Sequence, residues 1–304
     1  MVYRLAVAAA IAALFTGAPA AAQDPGAEPR TPESPASPAE TVPPTGNVTG
    51  TVFDGDWLTI GVGAGYTTSY DGSDDYVITP LPLLQGRLGG VSINPRAAGL
   101  ALDFIPDAPG QTGFSLGVAG RLNRNRATQI EDAVVRAYGE LDTAIEVGPT
   151  VGVTVPGVLH QYDSISISAD VLWDVAGAHE GMTVNPSITY FTPLSRAFAV
   201  SLAVSARHVD DDYAAYYYSV PVAPAGVPVA DRLPVFNAEG GFDKIGANLL
   251  AGFDFDGDLT NGGLAGFVLG GYSRMLGDAA DTPFTALRGS RDQWFIGGGI
   301  GFTF

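Results

Sequence analysis

The residues that could do chemistry in this sequence are few. Its 304 residues include no cysteine, and the histidines are His160, His179 and His208. A serine hydrolase needs a serine beside a histidine that a third polar group orients. His179 beside Glu180 comes nearest to such an arrangement, and we interpret it as a solvent-exposed loop pair. The sequence therefore predicts neither an enzyme nor a cofactor.

One acidic run has the spacing of a calcium-binding loop. Asp254, Asp256 and Asp258 occupy what would be its first, third and fifth positions. However, Leu259 stands where the sharp turn of that loop requires glycine, and Ala265 stands where a bidentate glutamate should bind the ion. We therefore predict a polar turn here and no metal site.

A second acidic group, Asp71, Asp74 and Asp75, is predicted to form the external tip of a loop. A solvated loop is the favoured interpretation. The alternative is a divalent-cation site that bridges to lipopolysaccharide. The chain has 32 acidic residues against 15 lysines and arginines, a formal net charge of -17. Because nucleic-acid binding needs clustered basic residues, this balance predicts that nucleic acid is not a partner.

Residues 1–22 have the arrangement of a secretory signal peptide. Arg4 precedes an apolar stretch at residues 5–15, and small residues lead to a predicted cleavage site after Ala22. Residues 23–50 are rich in proline and show no apolar periodicity, so we predict a disordered periplasmic linker. The predicted destination is the outer membrane of a gram-negative cell.

The main pattern from residue 51 to residue 304 has a period of two, which is the period of a β-strand with unlike faces. In residues 164–174, for example, Ile165, Ile167 and Trp173 alternate with serines and aspartates. Small and polar residues share one face of each such segment. The sequence therefore predicts that residues 51–304 fold mainly into β-strands joined by connections.

Three further features favour a membrane barrel over a soluble β-sandwich, whose strands also alternate. The alternating segments are roughly 9 to 13 residues long, the reach of a tilted strand across a bilayer. Aromatic residues cluster near strand ends, and the longest predicted connections, 124–142, 210–243 and 276–290, all fall on one side. We therefore predict an all-β fold, a transmembrane antiparallel up-and-down β-barrel of about 12 strands, with about 10 as the alternative.

Four charged residues, Arg121, Glu146, Asp170 and Arg207, fall on the small, polar faces of predicted strands. An arginine on the lipid face near the midplane would cost about 2 to 4 kcal/mol. We therefore predict that all four form a charge cluster in the lumen, toward the extracellular end. Arg121 and Glu146 lie on consecutive antiparallel strands, so a direct pair is expected between them.

The last predicted strand has an apolar outer face that ends the chain on an aromatic residue. Its members are Trp294, Ile296, Ile300, Phe302 and Phe304. This pattern resembles the terminal strand by which outer-membrane barrels are recognised for assembly. We therefore predict that it is the assembly signal and that the barrel assembly machinery is a partner.

Motifs near both ends of the predicted barrel are distinctive. The first hairpin carries Gly63-Ala64-Gly65-Tyr66 and the loop Tyr70-Asp71-Gly72-Ser73-Asp74-Asp75-Tyr76. The last hairpin carries Gly271-Tyr272-Ser273-Arg274-Met275. Over about residues 51 to 304, the chain resembles the MipA/OmpV family of outer-membrane proteins. The proline-rich residues 23–50 depart from the family pattern, as does Asp292, where asparagine is expected.

The resemblance implies an outer-membrane barrel that acts as a non-enzymatic scaffold in peptidoglycan remodelling. The family includes an MltA-interacting protein, which links a lytic murein transglycosylase to a murein synthase. These two enzymes are therefore the implied protein partners, beside outer-membrane lipid and lipopolysaccharide. A small-solute outer-membrane channel and a surface antigen or adhesin are the alternatives that the sequence leaves open.

Overall fold

The computed structural model describes residues 50–106 and 110–304, so the predicted signal peptide and nearly all of the predicted linker lie outside the described residues. The described chain folds into twelve β-strands joined by turns and short helices. The strands are β1 (Trp57–Thr68), β2 (Tyr76–Leu88), β3 (Val91–Arg96), β4 (Gly99–Asp103), β5 (Gly113–Asn123), β6 (Ala144–Pro156), β7 (Ser164–Asp174), β8 (Met182–Pro193), β9 (Phe198–Val209), β10 (Gly241–Asp254), β11 (Gly263–Met275) and β12 (Asp292–Thr303). The described helices are α1 (Ala133–Ala137), α2 (Asp211–Tyr218), α3 (Gly277–Asp281) and α4 (Pro283–Ala286), with 3-10 turns at Val52–Asp54 and Val229–Asp231.

The strands form one closed antiparallel barrel. Each strand pairs with its neighbours in the sequence, and β1 pairs with β12. The closing ladder runs from Thr59 opposite Thr303 to Tyr66 opposite Ile296. The prediction of a twelve-stranded up-and-down barrel is confirmed. The ten-stranded alternative is wrong, because twelve strands form, including the short strands β3 and β4.

The two faces of the wall differ as a membrane barrel requires. On the outer face Ile78 is 69% exposed, and Val62 and Phe114 are each 63% exposed. On the inner face Ala119 and Thr150 are buried. Apolar residues toward lipid and small or polar residues toward the lumen are the arrangement of a transmembrane β-barrel. Within residues 50–106 and 110–304, no helix has the length and apolar character needed to cross a bilayer.

Aromatic residues mark both rims of the apolar belt. At one rim the rings of Tyr66 and Tyr76 stack with centroids 5.1 Å apart, and those of Tyr272 and Trp294 lie 4.7 Å apart. At the other rim the ring centroids of Phe302 and Phe304 lie 4.9 Å apart. Such girdles place aromatic rings at the two membrane surfaces.

The two ends of the barrel differ in their connections, as predicted. At the end that we call the long-loop end, the connections are 69–75, 97–98, 124–143, 175–181, 210–240 and 276–291. At the other, the short-turn end, the fully described connections are 89–90, 157–163, 194–197 and 255–262. The long connections pack over the barrel with a core of their own, in which Tyr213, Tyr217, Tyr218 and Phe284 are at most 2% exposed. We call these packed connections the loop lid.

Candidate functional site

Helix α2 is the centre of the loop lid. It begins where the Asp210 carboxylate accepts a hydrogen bond from the Tyr213 amide at 3.0 Å, which satisfies a free donor of the first turn. The rings of Tyr213 and Tyr217 lie 4.6 Å apart. Burial raises the pKa of Tyr213, Tyr217 and Tyr218 above the ordinary value for tyrosine, so all three phenols stay neutral.

Neighbouring connections lock α2 in place. The Arg126 guanidinium, from the 124–143 connection, donates to the Tyr217 carbonyl at 3.2 Å and lies 4.0 Å from the centre of the Phe284 ring. Thr282 donates through its hydroxyl to the Tyr218 carbonyl at 2.6 Å. Burial lowers the pKa of Arg126 to about 10, which leaves it charged at neutral pH. Three connections are therefore joined across the mouth of the barrel.

A first charged cluster under the lid centres on Glu146, a β6 residue whose side chain is fully buried. Its carboxylate accepts hydrogen bonds from Arg121 Nε at 2.5 Å and Asn123 Nδ2 at 2.9 Å. His179 Nε2 lies 3.3 Å from the same carboxylate. A buried carboxylate requires such partners, because an unpaired charge in a low-dielectric site is costly. The cluster therefore ties β5 and β6 to the 175–181 connection.

The interpretation of His179 and Glu180 as an exposed loop pair is wrong for His179, which is 3% exposed. The Asp174 carboxylate at the end of β7 accepts hydrogen bonds from the amides of His179 at 2.8 Å and Glu180 at 3.2 Å. This turn folds the connection back over the barrel, so the imidazole reaches Glu146. Glu180 alone remains in solvent.

A second cluster joins the 69–75 loop to β9 and β10. The Asp71 carboxylate accepts a hydrogen bond from Arg207 Nη2 at 2.7 Å and is paired with Lys244 Nζ. Arg207 also donates through Nη2 to Asp243 at 2.6 Å, and the Tyr218 hydroxyl donates to Asp243 at 2.6 Å. Burial works to raise the pKa of Asp71, but Lys244 and Arg207 outweigh it and hold that pKa below its ordinary value.

A third cluster crosses the lumen. Arg96, the last residue of β3, donates through Nε to Asp170 on β7 at 2.8 Å. The Thr150 hydroxyl on β6 donates to the same carboxylate at 2.5 Å. Because β3 and β7 are not neighbours in the sheet, these contacts bridge the inside of the barrel.

The four charges proposed from the sequence as one lumen cluster therefore lie in three clusters. The structure brings Arg121 and Glu146 together as a cross-strand pair, whereas Asp170 pairs with Arg96 and Arg207 pairs with Asp71 and Asp243. Sequence reasoning missed the partners Arg96, Asp243, Lys244 and His179. Lys244 is the one lysine of the chain. A single lysine on a predicted strand was the sequence signal that could have indicated a charged partner for Asp71.

The motif loop, residues 70–76, is anchored rather than free. Asp71 is held as described, so the prediction of a wholly solvated acidic tip is wrong, although Asp74 is exposed. Tyr70 is 3% exposed. Gly72 has φ +95°, and a Cβ on it would lie 2.1 Å from the Thr285 hydroxyl, so the loop fits under the lid only with glycine there. The remaining members have these settings: Ser73 is buried, Asp75 is half-buried and Tyr76 begins β2.

The predicted assembly residues lie on the lipid-facing side of β12. Their exposed fractions are 54% for Trp294, 57% for Ile296, 49% for Ile300, 44% for Phe302 and 64% for Phe304. β12 pairs with β11 along its full length and with β1 over residues 296–303. The strand therefore closes the barrel and presents a continuous apolar face.

The acidic run at the end of β10 and in the 255–262 turn accepts hydrogen bonds from nearby turn residues. The Asp254 carboxylate accepts hydrogen bonds from the amides of Asp256 at 2.8 Å and Gly257 at 2.9 Å. The Asp258 carboxylate accepts one from the Thr260 hydroxyl at 2.6 Å. Among residues 50–106 and 110–304, no three histidine, aspartate or glutamate side chains are grouped to hold a metal ion.

Comparisons with known proteins found one family and several solved structures to which this chain is similar. The family described as MltA-interacting protein MipA matches residues 60–304. The chain is similar to the crystal structure of an outer membrane channel from Pseudomonas putida F1, at 13% identity and a TM-score of 0.42, with 82% of this chain and 96% of that chain covered. It is also similar to the Pseudomonas putida toluene transporter TodX, at 8% identity and a TM-score of 0.33, with 82% and 89% covered. No curated protein matches the chain in sequence.

Proposed function

This chain belongs to the MltA-interacting protein MipA family, and we propose that it is a non-enzymatic scaffold that joins a lytic murein transglycosylase to a murein synthase. The family match over residues 60–304 carries this proposal. The barrel would hold the two enzymes of peptidoglycan remodelling beside the membrane that anchors it. Outer-membrane lipid and lipopolysaccharide would surround the apolar belt after export and signal-peptide cleavage.

The packing of the loop lid favours a scaffold function and argues against a water-filled channel. The side chains that would line a polar mouth instead bind one another, as Glu146 does with Arg121 and Asp71 does with Arg207. Tyr217 and Tyr218 fill the space above them and are 1% and 2% exposed. A small-solute channel would need this packing to open. Purified protein in a planar bilayer should therefore show no stable ion conductance, and a steady open-channel current would favour the channel.

The short-turn end is the proposed enzyme-binding surface. Leu159 in the 157–163 turn is 77% exposed, and Leu194 in the 194–197 turn is 61% exposed. Neither belongs to a strand, so neither is needed for the lipid-facing belt. Exposed apolar side chains outside the lipid-facing belt are available for contact with another protein.

A photo-crosslinking amino acid placed at Leu159 or Leu194 in growing cells tests this surface. We expect crosslinks to a lytic transglycosylase or a murein synthase, identified by mass spectrometry. The matched control is Leu287, which is 61% exposed but lies at the long-loop end. Crosslinks to murein enzymes from Leu287, with none from the other two positions, would contradict the proposed surface.

A further inference from the structure

The ladder between β2 and β3 is the shortest among the described strands. It has three residue pairs, from Gly86 opposite Ile93 to Leu88 opposite Val91. On its other side, β2 pairs with β1 without interruption. This ladder runs from Gly86, opposite Leu58, to Tyr76, opposite Thr68. Toward the long-loop end, residues 76–85 of β2 therefore have a strand partner on one side only within the described chain.

The direction of the free backbone groups follows from the register. The Ser69 amide donates to the Asp75 carbonyl, and this pair continues the β1–β2 ladder. Because bonding direction alternates along an antiparallel strand, odd-numbered residues of β2 bond to β1 and even-numbered residues face β3. The backbone nitrogens of Pro80 and Pro82 therefore point into the break between β2 and β3.

Prolines prevent this ladder from continuing. Extending the observed register would place Leu84 opposite Pro95 and Pro82 opposite Ala97. Pro82 and Pro95 have no backbone N–H to donate across this ladder. Pro80, the next residue of β2 that faces β3, has none either. A strand edge bearing prolines also resists pairing with a strand from another chain. Prolines in both β2 and β3 therefore account for the break.

Two other strand prolines show that a single proline does not cause such a break. The β6–β7 ladder stops at Val147 and resumes at Thr150, on either side of Pro149. The β8–β9 ladder stops at Val184 and resumes at Ser187, beside Pro186. Each of those ladders closes again in the same register. The β2–β3 ladder does not.

The tip of the β3–β4 hairpin is also held away from β2. Arg96 is the last residue of β3, and its guanidinium reaches across the lumen to Asp170 at 2.8 Å. The hairpin is fixed on its other side, because the Leu122 amide donates to the Ala98 carbonyl at 3.0 Å. These contacts attach the tip to β5 and β7, so the break has a fixed edge on each side.

The lumen beside the break has an apolar wall. Leu81 and Leu83 lie on the inner face of β2, where a Cβ on Gly297 would meet Leu81 Cδ1 at 2.7 Å and one on Gly61 would meet Leu83 Cβ at 3.2 Å. Glycines on β1 and β12 thus make room for leucine side chains inside the barrel. Leu250, on the inner face of β10, is 44% exposed. Apolar surface left open inside a barrel fits an apolar ligand.

We propose that the break between β2 and β3 is a lateral opening through which small uncharged apolar molecules pass between the membrane and the lumen. The loop lid covers the long-loop end, so the break would provide a separate path into that part of the lumen. The leucine wall begins at the strand that borders the opening, and it offers apolar contacts to an uncharged molecule. This inference goes beyond the scaffold role and does not depend on it.

Cysteine labelling in reconstituted vesicles tests the opening, since the chain has no cysteine of its own. Single variants L83C, L84C and A119C would be reacted with N-(1-pyrenyl)maleimide dissolved in the bilayer. Leu84 is the lipid-facing neighbour and is 37% exposed, whereas Ala119 faces the lumen behind β4 and is 1% exposed. We expect L83C to react within tenfold of the rate of L84C and at least tenfold faster than A119C. A rate for L83C no greater than that of A119C would overturn the proposal.

A second set of variants tests the role of the prolines. Adding P80T, P82T and P95T to L83C restores the missing donors, and should slow labelling from the bilayer at least tenfold. Labelling of L83C by a water-soluble sulfonated maleimide, which enters from the short-turn end, should stay unchanged. The matched control, P186T, should change neither rate. An unchanged bilayer labelling rate in the folded triple-proline variant would overturn the proposal, with folding checked by heat-modifiable gel mobility.

Discussion

Replacing Arg121 and Glu146 with alanine, singly and together, should show strong coupling between the two side chains. They are directly opposite on β5 and β6, and their side chains are 16% and 0% exposed. The barrel contains a matched pair, Arg274 and Asp292, directly opposite on β11 and β12. Its side chains are 50% and 40% exposed and lie 2.8 Å apart. The two pairs thus differ mainly in burial.

Burial sets the expected magnitudes. Removing Glu146 alone leaves Arg121 and His179 facing an empty, buried space, and breaking a buried pair in this way costs about 3 to 5 kcal/mol. The double variant removes both charges, so the coupling energy between Arg121 and Glu146 should be about 2 kcal/mol or more. The exposed pair is screened by water, and its coupling should be about 0.2 to 1 kcal/mol.

Urea unfolding in lipid vesicles measures these energies by linear extrapolation. Four proteins per pair give one double-mutant cycle, and the coupling is the departure from additivity. Equal coupling energies in the two cycles, both below about 1 kcal/mol, would refute the argument that the Glu146 cluster holds the long-loop end together.

Three further predictions can be checked on the same protein. Alanine at Gly72 should cost about 1 to 3 kcal/mol more than alanine at Gly257 in urea unfolding, because both have φ +95° but only Gly72 lies against Thr285; equal costs would contradict this. Burial works to raise the pKa of Asp163, but hydrogen bonds from Tyr190 and backbone amides hold that pKa below its ordinary value. Wild type should therefore have a higher urea midpoint than D163N above about pH 4, and this advantage should be lost as the pH falls below that value. An advantage that persists at lower pH would show that the charge is not its source. Deleting Phe304 should lower the amount of folded barrel in the membrane without affecting signal-peptide cleavage, as judged by heat-modifiable gel mobility and mature chain mass; unchanged abundance would remove its role in assembly.

The strands could be predicted because lipid and lumen impose opposite requirements on successive residues. In β7, Ile167 is 51% exposed and Trp173 is 45% exposed on the outer face, whereas Asp170 is 7% exposed on the inner face. The polarity of each strand residue therefore indicates whether it faces lipid or the lumen. The pairing of Arg121 with Glu146 could be predicted for the same reason, since it needs only the strand register and the direction of each side chain.

The lid could not be predicted, because its contacts join residues far apart in the chain. Ser69 donates to the Gln129 carbonyl, and Arg288 pairs with Asp132. Loop sequences carry no period that would reveal such partners. The interpretation of His179 failed for this reason, since its ring is buried against Glu146, which lies on β6 and 33 residues earlier in the chain.

The most direct test of the scaffold function is the binding of a purified lytic murein transglycosylase to the barrel embedded in lipid nanodiscs. Surface-plasmon resonance would record binding to wild type and to a variant with L159E and L194E, beside the control L287E. The account predicts saturable binding to wild type and to the control, and at least tenfold weaker binding to the double variant, because two charges would enter an apolar contact. Absence of saturable binding to the wild-type barrel would contradict the scaffold function.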